Sequence, residues 1–290
     1  MNVIETRMLT KYYGKSRGIE NVSFHVREGE IFGFVGPNGA GKSTTIRTLL
    51  SLVRKTSGEA SIFGLDCEKC SKEILRQVGY LPSEVFYYEK MRAIDLLKYS
   101  ASFYPGDHLE RIRELAQRLE LDLNKRIEDM SLGNKKKVGI VQGLLHCPRL
   151  IILDEPTSGL DPLMQRTFFE MIREENERGA TVLFSSHILG EVQRMCHRVA
   201  IIKNGSIVAV QNMQELRENA CKKVTLTVRG GCFDAAALPG AANIAQIGNE
   251  VSFLYRGDCN ALIQILAGYS LDNVEISEPS LEEIFLHYYA

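Results

Sequence analysis

The chain has 290 residues, 44% of them apolar and 24% charged, with a formal net charge of −1. That length accommodates a sizeable core and suits two folded units better than one, and the composition excludes a disordered chain. The near-neutral charge provides no global basic field for nucleic acid, and no apolar run approaches the ~18 residues of a membrane span, so the expected setting is cytoplasmic.

Residues 1–15 include Glu5, Arg7, Lys11 and Lys15 and lack the apolar stretch of a signal peptide. Residues 3–9 and 22–26 read as short strands, with Val22, Phe24 and Val26 alternating, joined by a turn around Gly14-Lys15-Ser16-Arg17-Gly18. Tyr12 and Tyr13 stand just before Gly14; either ring can stack on a base or pack on the sheet end.

The apolar run Ile31-Phe32-Gly33-Phe34-Val35 is suited to a buried strand and leads into Gly36-Pro37-Asn38-Gly39-Ala40-Gly41-Lys42-Ser43-Thr44. This is the P-loop spacing, in which backbone N–H groups wrap phosphate oxygens, a lysine reaches the β/γ-phosphates and a hydroxyl binds Mg²⁺. Ile46, Leu49, Leu50 and Val53 then recur at helical spacing, so a helix amino terminus adds its dipole to the cradle. The expected ligand is a nucleotide phosphate with Mg²⁺, and the candidate binding residues are Gly36, Asn38, Gly39, Ala40, Gly41, Lys42, Ser43 and Thr44.

Further on, Gly58 to Gly64 reads as a turn and short strand, and Val78-Gly79-Tyr80-Leu81-Pro82 as another strand. Seven scattered cysteines predict no disulfide framework, and Cys67-x-x-Cys70 lacks the second pair that would complete a zinc site. From about 83 to 147 the pattern is helical, with Leu96, Leu97, Tyr99 and Ser100 in one segment and Leu109, Ile112, Leu115, Ala116 and Leu119 in the next. This is an insertion between strands of a nucleotide core.

The core resumes at Leu150-Ile151-Ile152-Leu153-Asp154-Glu155, an apolar strand ending in two acids. P-loop enzymes hold Mg²⁺ from such a strand end, and strand alternation points Glu155 differently, where it can polarise a water; strand-end capping is the plainer role. Asp161-Pro162 opens a helix that Gly179 stops. Residues 181–186 form the next strand, and His187 at its end is a candidate γ-phosphate sensor or a structural histidine. Asn204-Gly205 joins strands 198–203 and 206–210 in a hairpin.

From about 221 the character shifts. Val224, Leu226 and Val228 alternate, as do Val251, Phe253 and Tyr255, and Ser280-Leu281-Glu282-Glu283 forms a capping box for a helix bearing Leu281, Ile284, Phe285 and Tyr288 on one face. From residue 222 there are four Lys/Arg against eight Asp/Glu, a charge near −4. The predicted fold is α/β: a P-loop NTPase core with a mainly parallel sheet over 1–220, a helical subdomain inserted at about 83–149, and a small α+β domain over 221–290.

The order P-loop, Met130-Ser131-Leu132-Gly133-Asn134, Asp154-Glu155, Ser158-Gly159-Leu160-Asp161 and His187 resembles the nucleotide-binding subunit of ABC transporters over about residues 1–215. The resemblance implies that Tyr13 stacks on adenine, Lys42 and Ser43 bind phosphates and Mg²⁺, Asp154 supports the metal, Glu155 is the general base and His187 contacts the γ-phosphate. It implies that Asp161 lies at a subunit interface and that Ser131 and Gly133 cap ATP held by the other subunit, in a homodimer or heterodimer. The partner it implies is an integral membrane permease on a separate chain, with this subunit peripheral on the inner face of the cell membrane, and no nucleic acid.

Two features depart from the family pattern. Leu132 and Asn134 replace a glycine and a glutamine of the usual signature, and Ser83-Glu84 stands where a glutamine normally touches Mg²⁺ and reports to the membrane subunit. Lys135-Lys136-Lys137 follows the signature in the first helical turn, where cations oppose the dipole unless an anion lies nearby; a solvated basic face is the other reading. Glu278-Pro279-Ser280-Leu281-Glu282-Glu283-Ile284-Phe285 is similar to the carboxyl end of ATPase subunits of ABC-2-type exporters. A soluble ABC ATPase of DNA repair, translation or cluster assembly, and a non-hydrolysing nucleotide-gated module, are the alternative expectations.

Overall fold

The computed structural model describes residues 1–218, 222–229 and 233–277, which divide into the compact units Met1–Asn212 and Met213–Ala290. In the first, strands β1 (Asn2–Tyr13) and β2 (Ser16–Arg27) form an antiparallel pair joined by a tight turn at Gly14. Both strands run further than the apolar alternation suggested, because bulges near Leu9 and Lys11 interrupt the period-two pattern without ending the pairing. After β3 (Ile31–Val35) and α1 (Lys42–Leu49) come β4 (Ser57–Ile62) and β5 (Leu65–Asp66), which extend that sheet in the order β2-β1-β4-β5.

The remaining elements of this unit are α2 (Ser71–Leu75), β6 (Val78–Leu81), α3 (Ala93–Ala101), α4 (Leu109–Arg118), α5 (Leu132–Leu144), β7 (Leu150–Asp154), α6 (Pro162–Glu177), β8 (Thr181–Ser186), α7 (Leu189–Met195), β9 (Arg198–Lys203) and β10 (Ser206–Asn212). A second sheet has the order β10-β9-β3-β8-β7-β6, parallel except for the β9–β10 hairpin. Every residue of β3, β7 and β8 is buried, as expected of a parallel sheet covered on both faces. This order sets the carboxyl ends of β3, β8, β7 and β6 side by side, and that shared edge positions the site. Asn204 and Gly205 both take positive φ, 50° and 80°, which matches the right-handed twist of the two strands they join.

The helical insertion lies between β6 and β7, but its helices begin only at Ala93. Residues 83–92 form a loop, tied at its far end where the Ile127 N–H donates to Met91 O and the Glu128 N–H to Glu89 O. Expected as helix, this stretch follows Pro82, and its apolar residues Val85, Phe86, Tyr87 and Tyr88 run consecutively instead of marking one helix face. Among the described residues no helix is long and apolar enough to cross a membrane.

The second unit begins at Met213, eight residues before the expected boundary, with α8 (Met213–Glu218). It continues with β11 (Lys222–Val228), a 3₁₀ turn (Ala235–Ala237), β12 (Ala241–Ile247), β13 (Glu250–Tyr255), α9 (Cys259–Leu266) and β14 (Leu271–Ser277). The antiparallel sheet, in the order β12-β13-β11-β14, buries the alternating residues Val224, Leu226, Val228, Val251, Phe253 and Tyr255 with Leu262 and Leu266 of α9. β12 and β14 escaped sequence reading because most of their residues are exposed; the only alternating pair in β14, Val274 and Ile276, is exposed too. The capping box at Ser280 and the segment 278–285 lie outside the described residues.

Candidate active site

The P-loop follows β3 and is fastened from three sides. A Cβ at Gly36 would stand 2.3 Å from Ile202 O of β9, so only glycine permits that approach. Gly41, at φ 112°, is the N-cap of α1, and a Cβ there would meet Ile19 Cγ2 at 2.7 Å. The Gly205 N–H of the β9–β10 turn donates to Ala40 O at 2.9 Å. The loop closes around a cavity of about 400 Å³ lined by Tyr13, Arg17, Gly18, residues 38–44, Ser83 and Glu155.

Between the two tyrosines the structure discriminates. Tyr13 lines the cavity, half its surface open, whereas the Tyr12 hydroxyl donates to Glu20 Oε1 at 2.8 Å. Lys42 is buried and donates to Gly36 O at 2.7 Å, and its Nζ lies 3.1 Å from Glu155 Oε1. The other oxygen of Glu155 stands 2.6 Å from His187 Nδ1. A lysine from α1 and a histidine after β8 thus converge on the carboxylate of the acid after β7.

Glu155 has φ 50°, a left-handed conformation that costs a non-glycine residue roughly 1–2 kcal/mol and persists where surroundings enforce it. Its N–H donates to Ser185 O at 3.2 Å and to Ser185 Oγ at 3.3 Å. Ser185 Oγ in turn donates to Asp154 Oδ1 at 2.8 Å, so one hydroxyl orders both acids. At the end of β8, the Ser186 hydroxyl donates to Glu191 at 2.7 Å and accepts from the Ile188 N–H at 2.9 Å, which fixes the turn carrying His187.

Asp154 is fully buried, and its Oδ2 has no hydrogen-bond partner among the described residues. A buried carboxylate oxygen left without a donor is suited to a cation, and Ser43, with its hydroxyl at the start of α1, lines the adjoining cavity. These residues fit Mg²⁺. Ser83 lines the cavity too, but Glu84 is exposed and lies outside the lining.

Ser131, Gly133 and Asp161 form a second cluster, which is absent from the lining of the P-loop cavity. Ser131 caps α5, accepting from the Asn134 N–H at 3.3 Å, and Asp161 caps α6, accepting from the Met164 N–H at 2.9 Å. A Cβ at Gly133 would lie 2.9 Å from Gly159 O, so the two capped turns abut through glycine backbone. Leu132, the departure from the usual signature glycine, is 66% exposed, and its side chain lies 3.4 Å from where a Cβ on Gly159 would stand.

Residues 19–158 match the ABC transporter family model. Over 98% of its length the chain is 31% identical to an ABC transporter ATP-binding protein of Synechocystis sp., covering 84% of that protein. The chain belongs to the ABC transporter ATP-binding proteins. It is 38% identical over 71% of its length to the bacitracin transport ATP-binding protein BcrA of Bacillus licheniformis, covering 68% of it. A solved ATP-binding subunit of an ABC transporter superposes with a TM-score of 0.70 at 32% identity, over 74% of this chain and 92% of that one. The dimeric cassette MJ0796 bound to ADP and Pi shares the fold at a TM-score of 0.67 and 22% identity, over 72% of this chain and 98% of its own. The protein is accordingly an ABC ATPase, converting ATP and water to ADP and phosphate.

Two residues of this ABC ATPase site were missed by sequence reading. Ser185 offered only its place near the end of a predicted strand. Lys136 was read as part of a basic cluster, yet it is 2% exposed, and burial pushes its ammonium down to about 8.

Proposed function

We propose that the chain is the ATPase subunit of an exporter, working as a dimer and driving a separate membrane permease. The observation that carries the reading is the convergence of Lys42 and His187 on Glu155 at the mouth of the P-loop cavity, 3.1 and 2.6 Å away. When ATP enters, its phosphates take the backbone N–H groups of the loop, and Lys42 turns from Gly36 O and Glu155 to the β/γ-phosphates. Glu155, released from that ion pair, accepts the proton of the attacking water, and His187 supports the γ-phosphate. Ser43 and Asp154 would hold Mg²⁺, which supplies charge neutralisation on the β- and γ-oxygens. Tyr13 offers its open ring to the base.

Ser131 and Gly133 stand outside the cavity of their own chain, and this supports a site completed by the signature of a second copy. Permease coupling is supported by an aromatic groove of about 710 Å³ beside the cavity. Pro82 and Val85 line it, as do Phe86, Tyr88, Tyr99 and Phe103, which are 86%, 65%, 48% and 64% exposed. Ser83, in the same loop, lines the nucleotide cavity, so one segment touches both. A short apolar helix of the permease is the occupant we assign to the groove. Export is supported by the segment 278–285, which is similar to the carboxyl end of ATPase subunits of ABC-2-type exporters.

Glu155→Gln tests the chemistry, because the amide accepts a hydrogen bond but takes no proton. The variant is expected to bind ATP, lose phosphate release by at least about a hundredfold, and elute as an ATP-dependent dimer in size-exclusion chromatography. Turnover at the wild-type rate would refute the assignment of the base.

A further inference from the structure

Lys136 is 2% exposed although lysines flank it on both sides. Its ammonium donates to Pro82 O and Ser83 O, each at 3.0 Å, and to Glu155 O at 3.2 Å. The three protons of an ammonium are thereby matched to three main-chain carbonyls. Those carbonyls come from the loop after β6 and from the end of β7, while the lysine rides on α5, five residues beyond Ser131. Glu155 is the left-handed residue, at φ 50°, and its N–H is held by Ser185. Lys136 holds the other side of it, so both flanking peptide groups are pinned.

We propose that Lys136 is a positioning residue that keeps the Glu155 main chain in the turn aiming its carboxylate at Lys42 and His187, and fastens the Ser83 loop and α5 to that turn. The inference rests on Glu155 being the base. Lys136 does not line the nucleotide cavity, so it acts through the backbone and leaves ATP contacts to others. A loosened Glu155 binds nucleotide as before but meets the attacking water in the wrong place, an error that costs up to about a hundredfold in rate for a displacement near 1 Å.

The experiment is steady-state phosphate release by the full-length protein carrying Lys136→Met, Lys136→Gln, Glu155→Gln or, as a control, Lys135→Met, with melting temperature followed in parallel. Lys136→Met is expected to lower kcat by about tenfold or more while KM for ATP changes by less than about threefold. Lys136→Gln, which keeps two of the donors, is expected to fall between it and the wild type, and Lys135→Met to match the wild type. A lysine that merely filled the core would lower the melting temperature and leave kcat of the folded protein unchanged. Wild-type kcat in either Lys136 variant overturns the proposal, as does a rise in KM that matches the loss in kcat, since that marks a nucleotide contact. If Lys136→Met yields no folded protein, Lys136→Gln decides by the same criterion. Normal turnover in Glu155→Gln defeats the assigned base; an inactive Glu155→Gln beside normal Lys136 variants defeats the positioning role alone.

Discussion

His146 illustrates how one buried side chain sets a pH limit on this protein. Its ring stacks on Tyr104 with centroids 3.7 Å apart, and Nε2 lies 3.2 Å from Val78 O, which makes Nε2 the protonated nitrogen of a neutral ring. Nδ1 is buried without a partner among the described residues, and burial pushes the group down to about 4 from the ordinary 6.5. Between those values the unfolded chain binds the extra proton and the folded chain does not, so stability rises with pH across the window and is lost as pH falls from 6.5 toward 4. Acidification from pH 7 to pH 5 is expected to cost roughly 2 kcal/mol through this residue. His146→Phe keeps the stacking and removes the titration; chemical denaturation at the two pH values should show a smaller acid loss than in the wild type, and an equal loss would contradict the assignment.

At the scale of elements, the helical insertion is held to the nucleotide core by charge as well as by apolar packing. Arg118 of α4 makes a two-pronged pair with Glu174 of α6 at 2.5 and 2.6 Å. Arg111 of α4 pairs with Glu175, which is 4% exposed and also receives Arg178 at 2.6 Å. Removing one partner of a buried pair leaves the other charge poorly solvated, a larger effect than losing a surface pair. Arg111→Met is expected to cost roughly 2 kcal/mol in urea denaturation, and the exposed pair Arg166–Glu170 less than about 0.5 kcal/mol when Arg166 becomes Met. Equal effects would mean that Arg178 alone satisfies Glu175.

For the whole molecule, the residues lining the nucleotide cavity all lie between Tyr13 and Glu155, within the first compact unit. The second has its own sheet and its own apolar cluster, from Val224 to Leu266. We therefore expect a protein ending at residue 212 to bind ATP with wild-type affinity, because each unit closes its own core. Titration with a fluorescent ATP analogue tests this: weakened binding by a folded, monomeric 1–212 protein would show that the nucleotide site depends on the second unit. Dimerisation on ATP, measured by light scattering, then reveals whether residues 213–290 contribute to assembly.

The P-loop, the acids at the end of β7, the cap Asp161 and the Asn204-Gly205 turn were legible in the sequence because each is a local solution: a spacing, a cap or a positive φ acts over a few neighbouring residues. So was the alternation of β11 and β13. What the sequence could not decide depends on residues far apart in the chain. Tyr13 lines the cavity while the Tyr12 hydroxyl is taken by Glu20, and Ser83 lines it while its neighbour Glu84 does not. Lys136 sits between two look-alike lysines, and only the meeting of α5 with Pro82, Ser83 and Glu155 buries it and supplies its three acceptors. Hydrogen bonds of that kind span 54, 53 and 19 residues and leave no period in the sequence, since what they need is a carbonyl in reach and not a residue type.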